Sequence, residues 1–79
     1  MHRRIVEAIK DALTKREDIE VVKIFIDDKD SGGFWSMLIV VDPRYEHLIS
    51  HIEDIGKRIG AYYGEGLFCG IWNNTIEFS

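Results

Sequence analysis

The chain has 79 residues, 46% of them apolar and 30% charged, and its 14 acidic residues outweigh 10 basic ones for a formal net charge of −4. That length builds one small core and no more, so a single domain over residues 1–79 is expected. The acidic balance argues against a general phosphate-backbone binder, and the blocks of apolar residues argue against disorder.

Residues 3–16 predict a helix. Ile5, Ile9, Ala12 and Leu13 recur at the spacing of one helical face, with Val6 beside them. Residues 20–27 (EVVKIFID) predict a strand, with Val22, Ile24 and Ile26 on one side and Val21, Lys23, Phe25 and Asp27 on the other. Residues 34–41 (FWSMLIVV) predict a second strand, apolar on both sides and therefore central or doubly covered.

Asp42-Pro43 predicts the start of a second helix, because aspartate caps well and proline suits the first helical position. Tyr45, Leu48, Ile49, Ile52, Ile55, Ile59, Tyr62 and Tyr63 continue its apolar stripe, and the glycines of YGEG end it. The tail LFCGIWNNTIEF predicts a hairpin turning at Asn73-Asn74, which pairs Trp72 with Thr75 and Ile71 with Ile76.

The expected fold is α+β, a two-layer sandwich in the order α-β-β-α-β-β. It has a four-stranded, mostly antiparallel sheet with both helices mainly on one face. The strands joined by the second helix are expected to align in parallel, which admits a mixed sheet. The other sheet face would then show Val21, Phe25, Phe34, Leu38, Val40, Phe68 and Trp72, too much apolar surface to leave in water on a small monomer.

The loop DDKDSGGF (27–34) invites a cation or phosphate reading. A calcium loop counted from Asp28 places Gly32 at the fifth position and Ile39 at the twelfth, where ligands are needed. The GKS or GKT of a phosphate loop is absent, so the segment reads as a polar hairpin tip, and no metal over Asp27–Asp30 is expected. His47 and His51 share a helical face but lack an HExxH frame and read as surface histidines. Cys69 falls on the inward side of its strand and reads as a structural thiol without an activating base.

The stretch IGKRIG (55–60) resembles the glycine loop of KH domains, with three residues between Gly56 and Gly60 where that loop has two. The resemblance implies single-stranded nucleic-acid binding. The order helix, strand, glycine loop, strand, helix, strand is similar to that of minimal nucleotidyltransferases over most of the chain. Here IFIDDKDSGG and FWSMLIVVD carry neither that family's Gly-Ser nor its Asp-x-Asp pair. That likeness implies at most an inactive, nucleotide-binding relative.

The leading expectation is a non-enzymatic interaction module, a homodimer or a binder of another protein, with Phe25, Phe34, Leu38, Phe68 and Trp72 at its interface. The alternative is a nucleic-acid or nucleotide binder using Arg3, Arg4, Lys57 and Arg58 with aromatic stacking. No cofactor is expected.

A lone cysteine fits a reducing cytoplasm, and MHRRIVEAIK lacks the apolar run of a signal peptide. No stretch reaches the roughly 20 apolar residues that span a bilayer. Twelve isoleucines, no glutamine and only Asn73 and Asn74 as asparagines suggest a thermophilic source. A melting temperature below about 60 °C would contradict that reading.

Overall fold

The computed structural model describes residues 1–28 and 34–79. The elements are α1 (Arg3–Thr14), β1 (Val21–Asp28), β2 (Trp35–Val41), a 3-10 turn (Pro43–Leu48) leading into α2 (Ile49–Tyr62), β3 (Cys69–Trp72) and β4 (Thr75–Phe78). The α+β order read from the sequence is the order found.

The amphipathic stripe of α1 buries Ile5, Val6, Ile9 and Leu13. The helix stops at Thr14, whose hydroxyl donates back to the Lys10 carbonyl at 2.9 Å. The connection to β1 is anchored by Ile19, which is buried with the core.

Asp42 caps the next helical segment as expected, its carboxylate accepting from the Arg44 N–H at 2.9 Å. The first six residues after it wind as a 3-10 helix rather than as the start of α2. That tighter winding eclipses positions three apart, and Tyr45 and Leu48 accordingly both reach the edge of the core.

The sheet order is β1-β2-β4-β3, and every neighbouring pair is antiparallel. The sheet is therefore not mixed, although β2 and β3, each antiparallel to β4, do run in the same direction as expected. The strands β2 and β3 that α2 connects are not neighbours, because β4 lies between them. The tail hairpin has the expected register, Trp72 opposite Thr75 and Ile71 opposite Ile76. Asn73 takes φ 53°, which asparagine tolerates better than most residues. Asn74 then ties the turn to the central strand, with its side-chain amide donating to the Val41 carbonyl at 2.6 Å.

One register differs from expectation. The β1–β2 ladder slips between Val21 and Lys23. Val21 therefore stands opposite Val41 on the core side, while Val22 is displaced outward and exposed. A bulge of this kind cannot be seen in a period-two pattern, because it adds one residue to the count.

Both helices pack on the same side of the sheet, against each other and against β1, β2 and β4. That inner side carries Met37, Ile39, Val41, Ile76 and Phe78, all buried. Two glycines of α2 let the layers approach. A Cβ on Gly56 would stand 2.2 Å from Cζ of Phe78, and one on Gly60 would stand 2.7 Å from Cγ of Leu67 and 2.8 Å from the Glu65 carbonyl oxygen. These are the glycines of IGKRIG. They lie inside a continuous helix and face its packing partners, so the KH-type loop is overturned.

Candidate interaction surface

Among the described residues, no helix lies over the outer side of the sheet. Its side chains follow from the register. One row across β1, β2, β4 and β3 is Phe25, Leu38, Glu77 and Gly70, and the next is Lys23, Val40, Thr75 and Trp72. Phe68 and Ser79 exchange two backbone hydrogen bonds at 3.0 Å, which extends the hairpin ladder and brings Phe68 to the same side. Phe34 enters β2 on the parity of Ser36 and Leu38.

Four aromatics on or beside this face remain open to solvent: Phe25 at 47%, Phe34 at 67%, Phe68 at 69% and Trp72 at 49%. Leu38 and Val40 are half-buried between them. Gly70 leaves a low point in the face, with Cζ3 of Trp72 only 3.5 Å from where a Cβ would sit. Lys23 holds its ammonium 4.8 Å from the centre of the Phe25 ring, a cation–π distance. Charged residues sit mainly at the border: Lys23 and Asp27 on β1, with Glu77 nearer the middle.

All five apolar residues expected at an interface therefore belong to the outer face or its margin. Val21, expected with them, belongs instead to the core side.

The four basic residues do not form a stripe. Arg3 bonds Glu7 at 3.1 Å, Lys57 lies 3.5 Å from Glu53, and Arg58 lies 3.0 Å from Asp54, each pair one helical turn apart. Arg4 lines an open groove of about 480 Å³ with Glu7, Ala8, Asp11 and Tyr63. That groove mixes both signs of charge and belongs to the helical side of the molecule.

The histidine pair is divided. His47 lies in the last turn of the 3-10 segment. His51, on α2, has its Nε2 3.1 Å from Arg16 Nη1. Arg16 is held in a fork by Asp18, at 2.8 Å and 2.5 Å. This guanidinium pulls the Asp18 carboxyl down to about 2, mainly through the side-chain hydrogen bonds. The cluster joins the α1–β1 connection to α2 and was invisible in the sequence, because its members are far apart in the chain.

Cys69 is half-buried. Burial raises its thiol to about 11, and a hydrogen bond to Glu53 adds to the shift. A thiol so protonated at neutral pH is a poor nucleophile.

Asp27 and Asp28 are exposed at the end of β1, while Lys29, Asp30, Ser31, Gly32 and Gly33 lie outside the described residues. Among the described residues there is no group of three or more His, Cys, Asp or Glu side chains placed to hold a metal ion. No helix among them is long and apolar enough to cross a membrane. No protein-family model, curated protein or solved structure matches the chain.

Proposed function

We propose that this protein is a small non-enzymatic interaction module that self-associates through the outer side of its sheet or a free edge of it. The observation that carries the reading is the one-sided placement of the helices, which leaves Phe25, Phe34, Phe68 and Trp72 exposed around a half-buried Leu38 and Val40. Burying large aromatic side chains is the strongest single source of interface energy, and a two-fold assembly lets one chain supply both sides. The carboxylates opposite Arg3, Lys57 and Arg58 leave less support for a phosphate-binding surface.

Phe25 belongs both to the outer face and to a border strand, so it tests the reading without presupposing the geometry. Phe25→Ala is expected to weaken self-association by about tenfold, the scale of one interface anchor, while circular dichroism stays unchanged. Association of equal strength in the variant would contradict the proposal.

A further inference from the structure

The geometry points to a second copy of this chain as the occupant of the β1 edge, added as an antiparallel strand centred on Phe25. This inference rests on the self-association proposed above and specifies how it is built.

Among the described residues β1 forms one border of the sheet, paired with β2 alone. The direction of its backbone groups follows from β2. Trp35 exchanges hydrogen bonds of 2.9 Å with Met1, and the Val41 N–H donates to the Asn74 carbonyl at 3.0 Å. Trp35 and Val41 thus turn their backbone groups away from β1. By alternation Ser36, Leu38 and Val40 turn theirs towards β1, where they oppose Asp27, Phe25 and Lys23. Ile24 and Ile26 are left with their N–H and C=O groups pointing outward from the sheet.

The side chains of the same stretch, Lys23-Ile24-Phe25-Ile26-Asp27, are matched about its centre. A two-fold axis through the edge at Phe25 sets Ile24 opposite the partner's Ile26. Those two residues exchange both backbone hydrogen bonds, using the groups that point outward. Phe25 then meets the partner's Phe25 in a pair without hydrogen bonds, where side chains approach most closely. On the outer face Lys23 meets the partner's Asp27, and symmetry repeats the contact. On the inner face the half-exposed Ile26 gains an apolar neighbour.

The alternatives fit less well. β3, the other border, spans only Cys69–Trp72 and carries no charge to pair. Stacking two outer faces so that Lys23 meets Asp27 sets Glu77 against its own copy. The bulge at Val22 lies outside the paired stretch, so it does not block the edge.

The test is a charge exchange, read by sedimentation from micromolar to millimolar concentration. Lys23→Asp and Asp27→Lys are each expected to weaken association by about tenfold, since each turns two favourable cross-strand pairs into repulsive ones. The double variant is expected to recover most of the loss. Ile26→Pro removes an N–H that the monomer leaves outward, so it is expected to abolish association with the fold intact. Amides of Ile24 and Ile26 are expected to lose hydrogen-exchange protection on dilution.

Wild-type association that survives both single exchanges and Ile26→Pro but is lost in Trp72→Ala would overturn the edge geometry and leave self-association standing. A wild-type chain that stays monomeric throughout would overturn both.

Discussion

Asp18 shows how one short-range contact sets the behaviour of a single residue. Its carboxylate accepts two hydrogen bonds from Arg16, and both groups favour the charged state. A depressed carboxylate contributes stability above its unfolded value, and the contribution disappears as pH falls through the folded value. For Asp18 that window runs from the ordinary 3.8 down to about 2. An NMR titration of the Asp18 carboxyl carbon is expected to give a midpoint near 2, and Arg16→Ala to return it towards 3.8. A midpoint unmoved by the substitution would show that Arg16 is not the cause. Cys69 has the opposite displacement. Alkylation at pH 8 is expected to be much slower in the folded chain than in denaturant, because only the unfolded thiol has a sizeable thiolate fraction. The helical ion pairs at Glu53–Lys57 and Asp54–Arg58 follow from their four-residue spacing, since a helix fixes which residues are neighbours. The Arg16–Asp18–His51 cluster was not, because it forms only once α2 lies beside the end of α1.

Among the elements, α2 carries the sharpest packing constraint. Glycine inside a helix is ordinarily a cost of about 1 kcal/mol relative to alanine, so Gly56 needs a reason. The ring of Phe78, fully buried, occupies the space a Cβ would need. Gly56→Ala is expected to destabilise by about 1–3 kcal/mol from overpacking, less the gain in helix propensity. Gly66 has open space around it and serves as the control, with little change expected on Gly66→Ala. Urea unfolding checks both, and equal midpoints would mean that the Gly56–Phe78 contact relaxes freely. Asn74→Ala is expected to cost about 1 kcal/mol, because it leaves the Val41 carbonyl short of a partner. The tail hairpin was legible residue by residue, since a two-residue turn fixes the register on both sides. β1 was legible as an element, but its bulge was not, so Val21 and Val22 exchanged sides. The glycines of IGKRIG were visible, but their purpose depended on partners the pattern does not show, the Phe78 ring for Gly56 and Leu67 with the Glu65 carbonyl for Gly60.

For the whole molecule, the layer arrangement decides what is left uncovered. Two helices cover one side of a four-stranded sheet, and the exposed aromatics gather on or beside the other side. The sequence pattern led to this bare face because β2 is apolar on both sides, while nothing in it fixed the strand order. Inserting β4 between β2 and β3 makes the sheet wholly antiparallel and leaves the long strand β1 at a border. The most direct measurement is the solution mass of the wild-type chain by light scattering over a dilution series. The account predicts a mass that rises from 9.2 kDa towards twice that value as concentration increases. A mass of 9.2 kDa at every concentration would contradict it.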